Sequence, residues 1–118
     1  MHKNWPEMAE QLTVALREIR GGAPEVMKAF SGMARAALQP GALDTKTKEL
    51  LSLGIAVAVR CDACIAFHAE AALRHGATRA EVMETVGLAI YMGAGPSAMY
   101  AAQAVEAYDQ FAARKNPA

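Results

Sequence analysis

The sequence has few of the residues that usually mark a site. Its 118 residues include two cysteines, three histidines and one tryptophan. Twelve acidic and twelve basic residues cancel, so no excess charge favours nucleic acid or an anionic membrane as partner. No uninterrupted apolar run is long enough to cross a bilayer. The opening Met1-His2-Lys3-Asn4-Trp5-Pro6-Glu7 lacks the apolar core of a secretory signal. The cytoplasm is therefore the expected location. In that compartment a cysteine pair is more often catalytic or metal-binding than a structural staple. There is no low-complexity stretch, evident repeat or linker, which leaves one domain over residues 1–118. Gly93 and Gly95 do not form a phosphate loop, because no strand precedes them and no Lys-Ser/Thr follows.

What is present is helical periodicity. Asn4 and Pro6 suit the start of a helix from Trp5 to Arg20, with Met8, Leu12, Ala15, Leu16 and Ile19 on one face and Gly21-Gly22 as its end. Pro24 opens a second helix, with Met27, Phe30, Met33, Ala34, Ala37 and Leu38 at helical spacing before Pro40-Gly41. Asp44 caps a third over Thr45–Val59. Its Ile55-Ala56-Val57-Ala58-Val59 run also suits a strand, but no second strand exists for it to pair with. A fourth helix runs from Asp62 to Arg74 and closes at His75-Gly76. Thr78-Arg79-Ala80-Glu81 is a capping box for a fifth, which ends near Met92. Gly93-Ala94-Gly95-Pro96-Ser97 reads as a break before a last helix with Met99, Tyr100, Val105, Tyr108 and Phe111. The tail from Arg114 reads as frayed and His2 as disordered. The pattern predicts an all-α fold of about six helices. So apolar a chain of this length should bury part of its surface in a homo-oligomer.

Both cysteines lie in Arg60-Cys61-Asp62-Ala63-Cys64-Ile65-Ala66-Phe67-His68. On a helix, positions three, four and seven apart share a face. Two α-carbons three residues apart are about 5 Å apart, within the span of a disulfide. The stretch can thus hold a dithiol or a disulfide, with His68 one turn beyond Cys64. Three features favour the reactive thiolate: a helix N-terminus at Cys61, the adjacent Arg60, and His68 as proton acceptor. Peroxide would oxidise one cysteine to a sulfenic acid, and the other would condense with it to a disulfide. An external reductant would reopen that bond. Such a centre needs no metal and no organic cofactor. Glu49, twelve residues before Cys61, can reach the level of His68 if the third and fourth helices run antiparallel. Counting alone does not decide whether it faces inward.

This set resembles the signature of the AhpD-like alkylhydroperoxidases, within the carboxymuconolactone decarboxylase superfamily. The resemblance rests on Glu49, Cys61-Asp62-Ala63-Cys64 and His68, with Lys48-Glu49-Leu50-Leu51 before, His68 to Thr78 after, and Met92-Gly93-Ala94-Gly95-Pro96 beyond. It extends from about Asp44 to Tyr108. It implies an AhpD-like helical bundle that forms trimers or hexamers, with thiol peroxidase or disulfide reductase activity. By position Cys64 resembles the peroxide-attacking cysteine, Cys61 the resolving one, and Glu49 and His68 the proton relay. Relatives draw electrons from lipoyl-bearing proteins. The best-studied members carry a second histidine where this chain has Ala63, which implies a shorter relay here.

Other readings compete. The cysteines could be buried small hydrophobes. Cys61, Cys64 and His68 could bind zinc with Glu49 or His75 as fourth ligand, although structural zinc sites usually draw on two separated clusters. A decarboxylase acting on a lactone would need no cysteine pair, and a redox sensor would need no turnover. Glu49 alone would read as a solvated residue paired with Lys46 or Lys48. His75 reads as a helix C-terminal residue that suits the dipole. Met27, Met33, Met83, Met92 and Met99 read as packing. Trp5, Tyr91 and Tyr100 read as packing before they read as a pocket over the cysteines.

Overall fold

Three of the five helices start where a short polar side chain meets the free amides of a first turn. A computed structural model describes residues 2–115. They form α1 (Trp5–Gly22), α2 (Pro24–Leu38), α3 (Thr45–Val59), α4 (Asp62–Arg74) and α5 (Arg79–Lys115). No strand occurs among the described residues, and the 55–59 run lies within α3. Asn4 Oδ1 accepts from the Glu7 N–H at 3.0 Å, and Asp44 Oδ1 from the Thr47 N–H at 2.7 Å. The capping box forms in both directions: the Glu81 N–H donates to Thr78 Oγ1 at 3.1 Å, and the Thr78 N–H to Glu81 Oε1 at 2.8 Å.

Several boundaries differ from the sequence expectation. Gly21 and Gly22 stay helical. The helix ends at Ala23 instead, at φ −135°, because the residue before a proline avoids the α region. The expected break at 93–97 is not a loop. Helical bonding runs from Arg79 to Lys115 around one non-helical residue, Ala94 at φ 54° and ψ −136°. Two limbs therefore stand where a fifth and a sixth helix were expected. Pro96 has no N–H for the carbonyl of Met92, which suits it to the first turn of the second limb. Arg114 and Lys115 continue the helix, while the rest of the expected frayed tail, 116–118, lies outside the described residues. His2 is not loose: its backbone N–H donates to Glu106 Oε2 at 2.7 Å.

The core lies between α3, α4 and α5, which pack most extensively on one another. Leu53, Ala56 and Val57 of α3 meet Ile65, Ala66 and Ala69 of α4, and Val82, Val86, Ala101 and Ala104 of α5. The many alanines let these helices approach closely. Trp5, fully buried, closes one side. Its indole N–H donates to Glu106 Oε1 at 2.7 Å and its backbone N–H to Gln110 Oε1 at 2.8 Å. Gln110 returns a bond from Nε2 to the Lys3 carbonyl at 2.6 Å. At the far end of α4, Gly76 at φ 90° turns the chain, and the buried Tyr108 hydroxyl donates to the Ala77 carbonyl at 2.7 Å.

α2 packs differently. It buries no residue, and Val26, Phe30 and Met33 face outward. On α5, Leu88, Tyr91, Met92 and Met99 are also exposed. Apolar surface of this extent usually marks an interaction face.

Candidate active site

α3 ends in a tight reversal. Arg60 takes the left-handed conformation at φ 60°, its N–H reaches the Val57 carbonyl at 3.3 Å, and the Cys61 N–H reaches that of Ala56 at 3.1 Å. These bonds satisfy the last carbonyls of α3 and turn the chain into α4. Arg60 is exposed at this corner. Cys61 then caps α4 rather than lying in its first turn. Its Sγ accepts from the Cys64 N–H at 3.1 Å. The sulfur thus sits at the positive end of the helix and takes one of its free amide donors. The two cysteines are joined as a disulfide, with α-carbons 5.2 Å apart. Both are partly buried.

The reversal sets α3 and α4 antiparallel and brings Glu49 to His68. Glu49 Oε1 lies 2.6 Å from His68 Nδ1. Glu49 faces the interior and is 3% exposed, one of two buried polar residues in the described chain. Neither lysine pairs with it: Lys46 Nζ bonds Glu81 Oε2 at 2.8 Å, and Lys48 Nζ bonds the Gln39 carbonyl at 2.6 Å. The hydrogen bond from Lys46 holds the Glu81 carboxyl below its ordinary value.

Cys64 and His68 border one cleft of about 210 Å³, completed by Ser52, Ile55, Ala56 and Val59. The sequence reading did not assign these four residues of α3 to the site. The signal was their spacing, since Ser52, Ile55, Ala56 and Val59 share a helical face, but only the packing turns that face toward Cys64. The three aromatic candidates for a pocket do not border the cleft: Trp5 is buried in the core, Tyr100 packs against it and Tyr91 is 82% exposed. Larger hollows, about 430 Å³ along α1 and about 370 Å³ beside Arg74 and Phe111, are bordered by no cysteine or histidine. His75 caps the opposite end of α4 from the cysteines. Among the described residues no three His, Cys, Asp or Glu side chains converge as a metal site would require. No helix there is long and apolar enough to cross a membrane.

A segment to which the sequence reading gave no role at the site also reaches this corner. Lys3 Nζ forms an ion pair with Asp62 Oδ2, between the two cysteines, and donates to Gln103 Oε1 at 2.9 Å. Burial works to raise the Glu106 carboxyl that anchors this segment. The N–H groups of His2, Lys3 and the Trp5 indole outweigh burial and hold it below its ordinary value.

Comparisons with known proteins place the fold and the family. A crystal structure of a carboxymuconolactone decarboxylase family protein from Legionella pneumophila superposes with a TM-score of 0.88 at 47% identity, over 91% of this chain and 96% of that one. A carboxymuconolactone decarboxylase family protein from Thermotoga maritima, for which involvement in antioxidative response has been suggested, gives 0.75 at 30% identity, over 97% and 95%. An uncharacterized protein of Cupriavidus necator is 45% identical over 86 residues, 73% of this chain and 76% of that protein. The model of the carboxymuconolactone decarboxylase family matches residues 24–107. That match begins at α2, twenty residues before the stretch that carried the resemblance in sequence, and the chain belongs to the carboxymuconolactone decarboxylase family.

Proposed function

We propose that this protein is a thiol-dependent alkyl hydroperoxidase, with disulfide reductase activity through the same pair. The observation that carries the reading is the cysteine pair joined at the start of α4, with Cys64 sharing a cleft with a histidine that a buried glutamate holds. With Nδ1 donating to Glu49, Nε2 of His68 is free to take the thiol proton of reduced Cys64. The Cys64 thiolate attacks the terminal peroxide oxygen. An S–O bond forms, the O–O bond breaks, and the alkoxide leaves as an alcohol with the proton from His68. Cys61 then attacks the Cys64 sulfenic acid; the S–S bond forms and the hydroxyl leaves as water. An external dithiol returns two electrons and two protons. Glu49 acts through His68, which it orients.

The cleft supports an organic peroxide as substrate. Ile55, Ala56 and Val59 are apolar, and the pocket is small. A dithiol that enters such a cleft must be slender, which suits the lipoyl arm of a partner protein. Cycling through free thiols suits a reducing compartment such as the cytoplasm. The exposed apolar faces of α2 and α5 support assembly as a trimer or hexamer, and light scattering should return more than one chain; a monomeric mass would refute it. The suggested antioxidative role of the Thermotoga relative points the same way as the cysteine chemistry.

The test counts thiols. Reduced protein carries two per chain, and one equivalent of an alkyl hydroperoxide should remove both, with or without a chelator. Cys64→Ser should abolish peroxide-dependent consumption of dithiothreitol. Turnover retained in Cys64→Ser would overturn the reading. Thiols that react only after chelation would replace it with a zinc site.

A further inference from the structure

Asp62 follows Cys61 directly and opens α4. There its carboxylate suits the helix dipole. The same negative charge opposes a thiolate one or two residues away, because a like charge disfavours ionisation. A counter-charge arrives from the far end of the sequence. Lys3 Nζ pairs with Asp62, bonds Gln103 Oε1 at 2.9 Å and lies 5.2 Å from the centre of the Trp5 ring. Its backbone is fastened on both sides: the Lys3 N–H donates to Glu106 Oε1 at 2.9 Å, and its carbonyl accepts from Gln110 at 2.6 Å. A cation beside a helix N-terminus is ordinarily disfavoured. Here a carboxylate, an amide oxygen and an aromatic face hold it, and the pair is only partly exposed, at 29% and 37%.

We propose that Lys3 is a tuning residue for the dithiol: by neutralising Asp62 it favours the thiolate of the Cys61–Cys64 pair and so sets the pH at which the reduced centre becomes nucleophilic. This rests on the pair cycling between disulfide and dithiol, but not on the identity of the oxidant. Dithiothreitol reduces the disulfide by transferring two electrons and two protons, giving two thiols and cyclic oxidised dithiothreitol. Ionisation of one thiol then releases a proton and leaves one negative charge. That charge meets Lys3 and Asp62 on one side, with the Glu106 carboxylate bonded to the Lys3 N–H, Arg60 at the corner of α3, and the His68–Glu49 pair one turn along α4. Arg60, His68, Glu49 and Glu106 are unchanged in the variants below and cancel in the comparison.

The combined charge of positions 3 and 62 is zero in the natural chain, −1 in Lys3→Met, +1 in Asp62→Asn and zero in the double variant. The full-length protein is reduced, desalted and alkylated with iodoacetamide across a range of pH. In Lys3→Met the pH of half-maximal rate should rise by about half a unit, and in Asp62→Asn it should fall by a similar amount. The double variant and Lys3→Arg should return to the natural value. Both single shifts should shrink in about 1 M salt, where the screening length is about 3 Å. A purely structural role predicts something else: either single variant breaks the same pair, so both shifts would share one sign. Shifts of the same sign, or midpoints that do not move, overturn the proposal. Asp62→Asn keeps it testable if Lys3→Met does not fold. The readout uses no peroxide, so the shifts stand even if peroxide turnover is absent, and turnover can be present without them.

Discussion

Glu49 Oε1 and His68 Nδ1 lie 2.6 Å apart across the α3–α4 pair, the carboxylate buried and the imidazole partly open to the cleft. A buried acid with a single ring partner fixes the orientation of that ring, the role an oriented carboxylate takes beside a general base.

Glu49→Gln keeps a side chain that can hydrogen-bond to the ring but removes the charge. Peroxide turnover should fall by about 100-fold, the lower range for a general acid–base group. Circular dichroism should be unchanged. His68→Gln should lose at least as much. The two residues act as one unit, so the double variant should be no slower than His68→Gln alone, within a few fold. Losses that multiply would mean that the two act independently.

Trp5 is the one tryptophan, which makes the 2–5 segment visible by fluorescence. The Glu106 carboxyl is depressed below 4.5 in the folded state. A depressed carboxyl contributes stability that is fully present above the unfolded value and is lost as pH falls through the folded one. At neutral pH, Glu106→Gln should be less stable in urea by about 1 kcal/mol, because the surrounding solvent weakens bonds to a charged acceptor. The difference should shrink as pH falls below the unfolded value and vanish once the folded carboxyl is protonated, because both chains then carry a neutral group at this position. A gap that stays constant across that range would disprove the linkage.

Adjacent residues at the α5 kink should respond in opposite directions. A Cβ on Gly93 would lie 1.9 Å from Ser97 Oγ and 2.9 Å from Ser97 Cβ. Rotating the hydroxyl away relieves only the first contact, so Gly93→Ala should cost about 1–3 kcal/mol. Ala94 occupies φ 54°, ψ −136°, a conformation in which glycine meets no Cβ clash. Ala94→Gly should stabilise by about 1 kcal/mol, the lower end of what such backbone strain costs. Thermal unfolding of the two variants checks both signs.

Much of the helix pattern was legible because short-range chemistry sets it. Asp44 and Thr78 mark their helix starts through bonds to amides three residues on, and such bonds depend on little beyond local chain geometry. The Cys61–Cys64 spacing likewise announced a closable pair. Terminations were less legible. Gly21-Gly22 looked like a stop, but the restriction that Pro24 places on Ala23 prevailed. The Gly93–Ser97 stretch looked like a break between two helices, but only Ala94 leaves helical geometry, and Pro96 suits the first turn of the limb that follows.

The sequence by itself determined most of the helices and a closable Cys61–Cys64 pair with His68 one turn on, because spacing along a helix is a local property; Glu49 joined them only through the family resemblance. Tertiary structure decided which way each face points. It turned Glu49 inward to His68 instead of outward to a lysine, laid Ser52, Ile55 and Val59 beside Cys64, and placed Lys3 on Asp62 from 59 positions away. The physical reason is that those contacts join separate helices, and their rotation and register follow from how the alanine-rich core closes.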